Sequence, residues 1–230
     1  MTAKIKKRTN GLKDKKVLIT AGPTWVPIDD VRVISNTATG ETGLLLAEEV
    51  KKMGASVRLL LGPSLLESRL VNSKYTESFK FFSDLREKLS RELVRRKYDV
   101  VIHSAAVSDY QPRHAHRRKI PSDRKNLALK LAATPKIIDS IKKQDPALML
   151  VGFKFEPQAA AKELRKEAVH LAERCGAEIV VANTIRNNLY EAYIVKDGKL
   201  SGPFCSKKNL AVHLVRCIAE GLSRDAYRKS

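Results

Sequence analysis

Three stretches carry residue types whose spacing could do chemistry. Thr39-Gly40-Glu41-Thr42-Gly43 leads directly into a segment of helical periodicity. Glycines there let backbone N–H groups approach an anion, and a helix N-terminus adds unpaired donors and the positive end of a dipole, so the place suits a phosphate or carboxylate. The same glycines could equally serve only to turn the chain and let helix and strand pack closely. Ser104-Ala105-Ala106-Val107-Ser108-Asp109-Tyr110 follows a buried apolar run, and small residues there would let a ligand reach the backbone. Asp109 is a candidate for holding a metal ion or a ribose, or else a solvated loop aspartate. Finally, Pro112 to Asn126 carries Arg113, His114, Arg117, Arg118, Lys119, Arg124 and Lys125 with almost no apolar residues. It cannot bury itself and reads as a mobile basic loop, suited to act as a lysine-bearing lid beside phosphates.

The elements that must position these groups follow from apolar periodicity. Val17-Leu18-Ile19 reads as a strand, and Leu46, Val50 and Met53 share one face of a helix that Gly54 would end. The loop between them, from Ala21 to about Gly43, is far longer than an ordinary βα connection and carries Asp29, Asp30, Arg32 and Asn36, which points to function. Ser56 to Leu61 supplies a second strand, parallel to the first by the handedness of the crossover. Lys74 to Phe82 is ambiguous, with room for a short strand; Leu85, Leu89 and Leu93 mark a helix that Ser83 could cap. Asp99 to His103 is a buried strand and Leu127 to Leu131 an alternating one. Thr134-Pro135 would open a helix over Ile137, Ile138 and Ile141, with Thr134 as its N-cap. Further strands fall at Met149 to Phe155 and Glu178 to Asn183, with a helix from Glu156-Pro157 to about Cys175 between them. Asp197-Gly198 turns a late hairpin, and Ser206 caps a last helix with Leu210, Leu214 and Ile218 inward. The pattern predicts an α/β fold: a doubly wound, Rossmann-like, mostly parallel sheet with helices on both faces and a late antiparallel hairpin. Residues 1–14 read as a basic disordered tail and 15–230 as a single domain.

Composition narrows the function. The chain has 230 residues and a formal charge of +19, but its Lys/Arg clusters are dispersed, lack interleaved aromatics and match no nucleic-acid-binding motif. Small anionic substrates also favour a positive cleft, so nucleic acid is the disfavoured partner. Three widely spaced cysteines, Cys175, Cys205 and Cys217, form neither a zinc pattern nor a disulfide framework. No apolar run is long enough to span a membrane, and the basic N-terminus lacks the apolar core of a secretory signal, so a cytoplasmic location is the default. The dinucleotide fingerprint and the P-loop are both absent, which counts against an NAD(P)-dependent reductase.

Taken together the segments resemble the phosphopantothenate–cysteine ligase (phosphopantothenoylcysteine synthetase) family of coenzyme A synthesis. TAGPTWVPIDDVRVISNTATGETG, HSAAVSDYQP, KIPS, LAATPKII, VGFKFE, IVVAN and CSKKNLA come in the family's order and cover nearly the whole chain after about Lys15. The resemblance implies activation of the carboxylate of 4'-phosphopantothenate by a nucleoside triphosphate and Mg2+, then attack by cysteine's amine on the acyl-nucleotidylate. It implies that Asn36 contacts the acyl intermediate and assists the cysteine step, with Arg32 nearby in the substrate pocket and Gly40 and Gly43 at the substrate site. Ser104, Ala105 and Ala106 would line the nucleotide site, Asp109 would hold the metal or nucleotide, and Lys119 would be the flap lysine that neutralises the triphosphate. Ala133, Thr134, Pro135, Lys136 and Phe153 would sit against the nucleotide. A homodimer and a stand-alone synthetase without the flavin decarboxylase domain are also implied. The chain departs from the pattern at Trp25, where many relatives have Arg. Leu171 and Cys175 replace the two lysines that read cytosine in bifunctional bacterial relatives, so the co-substrate is CTP or ATP, with CTP mildly favoured.

Overall fold

The computed structural model describes residues 11–113, 118–123 and 125–229. Its elements are β1 (Lys16–Ala21), β2 (Trp25–Pro27), β3 (Val33–Ser35), α1 (Glu41–Lys52), β4 (Ser56–Leu61), β5 (Thr76–Ser78), α2 (Phe82–Arg95), β6 (Val100–His103), β7 (Tyr110–Pro112) and β8 (Leu131–Ala133). There follow a 3-10 turn (Ile137–Ser140), α3 (Ile141–Gln144), β9 (Met149–Phe155), α4 (Ala161–Cys175), β10 (Ile179–Arg186), β11 (Leu189–Lys196), β12 (Lys199–Phe204) and α5 (Lys207–Lys229).

The main sheet has the order β12-β11-β10-β9-β6-β1-β4-β5. From β5 to β10 every pair is parallel, whereas β11 and β12 are antiparallel additions. Alternate residues of each strand feed opposite layers, as a period of two requires. Val17, Ile19, Val100 and Ile102 join Leu46 and Val50 of α1 and Leu214 and Ile218 of α5 in one core. Leu18, Val101 and Leu150 join Leu85 and Leu89 of α2, Ile141 of α3 and Leu164 of α4 in the other. Burying each such side chain contributes about 1.5–3 kcal/mol. Helices therefore cover both faces, as the alternation of elements predicts.

Several local expectations are corrected. Residues 1–10 of the anticipated tail lie outside the described residues, but Leu12 within it is fully buried and its N–H donates to the Met53 carbonyl, 3.0 Å. One apolar side chain thus anchors a segment that composition alone marks as solvated. The long loop after β1 contains an antiparallel hairpin of β2 and β3. Asp84, not Ser83, caps α2, accepting from the N–H groups of Lys80 (3.2 Å) and Phe81 (3.1 Å). The strand anticipated over 127–131 begins only at Leu131 and pairs with β7. α4 starts at Ala161, where Glu163 accepts from the Ala160 N–H, 2.9 Å, and not at Glu156-Pro157. The late antiparallel region is a meander: besides Asp197-Gly198, Asn187 and Asn188 turn β10 into β11 with φ of 51° and 62°, the conformation Asn tolerates best after Gly. Ser206 does start α5, its hydroxyl accepting from the Asn209 N–H at 3.2 Å.

Candidate active site

Strand order reverses between β1 and β6: β1 continues to β4 and β5 on one side, β6 to β9 and β10 on the other. In open α/β sheets the crevice at the carboxyl ends of such a pair is where ligands bind. Here the two strand ends are knitted together. The Thr20 carbonyl accepts from both the N–H (3.0 Å) and the hydroxyl (2.8 Å) of Ser104. Thr20 Oγ1 accepts from the Ala105 N–H at 3.4 Å and lies 2.8 Å from His103 Nδ1. Burial pulls the imidazole down to about 4, so it is neutral at ordinary pH. Beyond the strands, Ala106 N–H donates to the Gly22 carbonyl at 3.0 Å, and Thr24 Oγ1 accepts from the Ser108 N–H at 2.9 Å. The two loops therefore form one hydrogen-bonded floor.

Of the anticipated site residues, Asn36, Ser104, Ala105, Ala106 and Thr134 are hydrogen-bonded into this floor. Asn36 is exposed, and its Nδ2 donates to the Ala106 carbonyl at 2.8 Å, which leaves Oδ1 and a second N–H for a ligand. Asp109 is 63% exposed and pairs with Lys136 Nζ at 2.5 Å. Ala105 and Ala106 are half-buried. Thr134 does not cap a helix: it is buried, its hydroxyl donates to the Ser108 carbonyl (2.6 Å) and its N–H to the Asp109 carbonyl (2.9 Å). Consequently the chain after Ala133 and Pro135 enters the 3-10 turn with Lys136 preceding it, and no side chain caps that turn. Phe153, near the end of β9, is half-buried against the core beneath α1 and α5.

Of the two glycines at the start of α1, Gly40 adopts φ of 84° and provides no capping side chain. Gly43 is buried, and a Cβ there would lie 2.2 Å from Ala21 Cβ and 3.1 Å from Ser104 Oγ. Close packing of α1 on β1 therefore accounts for Gly43, the alternative to anion contact.

Arg32 is engaged elsewhere than in an open pocket. Its Nε (3.0 Å) and Nη2 (2.5 Å) donate to Asp29 Oδ2, and Nη2 also donates to the Ile120 carbonyl at 2.9 Å. The Ile120 N–H donates to the same Asp29 oxygen at 3.0 Å. Arg32 and the Ile120 N–H together hold the Asp29 carboxyl well below the usual carboxylate range. Lys119 is exposed beside this anchor, while residues 114–117 and 124 of the anticipated basic loop lie outside the described residues. Asp29, Thr20 and His103 were not among the anticipated site residues. Asp29 left a faint signal: an Asp followed by N–H groups at the next two positions but one can close an Asx turn, and it accepts from Val31 (2.9 Å) and Arg32 (2.8 Å).

All three cysteines are free; Cys175 is buried and Cys205 exposed. Among the described residues, no helix is long and apolar enough to cross a membrane.

Comparison with known proteins places this arrangement. The chain is similar to the coenzyme A biosynthesis bifunctional protein CoaBC of Thermococcus kodakarensis, 40% identical over 175 residues, covering 76% of this chain and 42% of that protein. It is 31% identical over 228 residues to CoaBC of Bacillus subtilis, covering 95% of this chain and 54% of that one. The chain thus spans about half the length of the curated relatives it matches. Among solved structures, the C-terminal domain of a CoaBC protein superposes with a TM-score of 0.76 at 28% identity, covering 94% of this chain and 99% of that one. The DNA/pantothenate metabolism flavoprotein of Streptococcus pneumoniae gives 0.77 at 26% identity, covering 89% and 98%. The family described as the DNA/pantothenate metabolism flavoprotein C-terminal domain matches residues 12–222, and the chain belongs to that family.

Proposed function

We propose that the chain is a phosphopantothenate–cysteine ligase of coenzyme A biosynthesis, activating 4'-phosphopantothenate with CTP or ATP and joining it to L-cysteine. The observation that carries this reading is the convergence of an amide, a carboxylate and a lysine on the loop after β6. Asn36 is bonded to Ala106, Asp109 is paired with Lys136, and Lys119 adjoins the anchored Ile120. Family membership and the CoaBC relatives support it.

In the first half-reaction a carboxylate oxygen of phosphopantothenate attacks the α-phosphorus of the nucleotide and pyrophosphate leaves. Lys119 and Lys136 draw charge from the phosphates as it accumulates on the leaving group. In the second, the amine of cysteine attacks the acyl carbonyl carbon, the nucleoside monophosphate leaves, and the amine loses a proton. Asn36, fixed at one N–H, presents the other to the developing oxyanion without changing its own charge.

Asp109 fits Mg2+. A single exposed carboxylate is the usual protein share of a Mg2+ shell completed by water and phosphate oxygens, and no cluster of three or more His, Cys, Asp or Glu ligands exists among the described residues. When bound there, the ion would offset phosphate charge and free Lys136 from Asp109. The neighbouring hairpins expose Val31, Val33, Tyr110 and Leu131, which supports pairing as a homodimer.

The test is pyrophosphate release with CTP and ATP side by side, in the presence of phosphopantothenate and cysteine. Release dependent on phosphopantothenate is expected, and Lys119→Ala should lower it by about a hundredfold, as for loss of a group contacting the reacting phosphates. Absence of release with either nucleotide would refute the assignment.

A further inference from the structure

The Asp29 carboxylate is placed unusually for a loop residue: its side chain is wholly inaccessible, and both oxygens are saturated with donors. Oδ1 serves the hairpin itself, accepting from the N–H groups of Val31 and Arg32. Oδ2 serves a distant segment, accepting from the Arg32 guanidinium and from the Ile120 N–H. Arg32 then reaches past Asp29 to the Ile120 carbonyl. Both backbone polar groups of one residue are therefore gripped by one ion pair, and Ile120 as a whole is only 3% exposed. Its neighbours Lys119 and Pro121 are exposed. Among the described residues 118–123, Ile120 is the single buried one, pinned between exposed neighbours.

We infer that Asp29 and Arg32 are positioning residues that clamp the chain at Ile120 and thereby hold Lys119 at the nucleotide phosphates. This rests on the role given to Lys119 under Proposed function. Arg32 acts here through the Ile120 backbone and not on substrate. The geometry also separates two functions of Asp29. An Asn at this position keeps an acceptor for the hairpin N–H groups at Oδ1, but puts an amide, with no charge and no acceptor, against Arg32 and the Ile120 N–H. The hairpin survives while the clamp fails.

Asp29→Asn and Arg32→Lys, which keeps the charge but loses the fork, are compared with the wild-type chain by limited trypsin digestion, reading cleavage after Lys119 by mass spectrometry. A protease must draw several residues into an extended strand, so the clamp should protect that bond. Cleavage about tenfold faster in both variants is expected, matching the loss of a charge-assisted hydrogen bond, with unchanged far-UV circular dichroism. Pyrophosphate release should fall in kcat with little change in the KM for phosphopantothenate. The Asp29→Asn/Lys119→Ala double variant should be no slower than Lys119→Ala alone, because the clamp acts only through that lysine.

Unchanged cleavage, or a double variant slowed by the product of the two single effects, would overturn the clamp while leaving the ligase reading standing. Lys119→Ala at the wild-type rate would instead overturn the role of Lys119 on which the inference rests. In that case accelerated cleavage would still show the contact to be a structural one only.

Discussion

His103 makes the stability of this fold depend on pH in a calculable way. The residue is only 6% exposed at the end of β6, and burial lowers its pKa from 6.5 to about 4. The folded value lies below the unfolded one, so between the two the unfolded chain binds the extra proton. The stabilising contribution is therefore complete above about pH 6.5 and lost as pH falls toward about 4. At about 1.4 kcal/mol per unit, the whole shift is worth about 3–4 kcal/mol, a large part of a typical folding free energy. Protonation would also place a positive charge 2.8 Å from the Thr20 hydroxyl, inside the buried floor that Thr20 shares with Ala105. The assay is urea unfolding across this pH range, followed by the fluorescence of the half-buried Trp25, for the wild type and for His103→Asn. Carboxylates titrate alike in both proteins, so subtracting the two curves isolates the imidazole. The wild type should lose up to about 1.4 kcal/mol more per pH unit than the variant at the steepest point. Equal slopes would refute the reasoning, since they would mean that His103 charges as readily in the fold as in the unfolded chain.

Other substitutions test the floor and the chemistry. Gly43→Ala should destabilise by about 1–3 kcal/mol through its clash with Ala21, read by thermal unfolding; were the glycine needed only for ligand contact, helix propensity would make Ala stabilising by about 0.5–1 kcal/mol. Asn36→Asp should let the acyl-nucleotidylate accumulate, because a second carboxylate disfavours the oxyanion formed in the cysteine step; quenched-flow analysis would show pyrophosphate release outpacing product formation. Asp109→Asn should raise the Mg2+ concentration needed for half-maximal pyrophosphate release by about tenfold, as loss of a carboxylate ligand does; an unchanged Mg2+ dependence would remove Asp109 from that role.

Elements packed into the two cores were legible in the sequence: β1, α1, β6, β9 and α5 all show their apolar runs or helical spacing. What escaped was set by long-range hydrogen bonds. β2 and β3 are too short for alternation to register, and they pair with each other inside what reads as a loop. Thr134 has the composition of an N-cap, but the Ser108 carbonyl, 26 positions away, takes its hydroxyl and displaces it from that role. The role of Asp29 depends on Ile120, 91 positions away, and its only local signal, an Asx turn, is one the adjacent Asp30 could equally offer. The loop after β6 was readable as a candidate site because strand ends in such sheets are where ligands lie. Which groups there are free and which are already partnered was not readable, because that depends on contacts between segments far apart in sequence.

The contact between Gly43 and Ala21 has a mechanical corollary. With no room for even a methyl group between them, α1 and β1 are seated as one joint, so any roll or tilt of the helix must carry β1 with it. Opening and shutting during turnover is then expected in the segments threaded above this bed. Substitutions that stiffen those segments should slow turnover, while added rigidity beneath them should leave it unchanged.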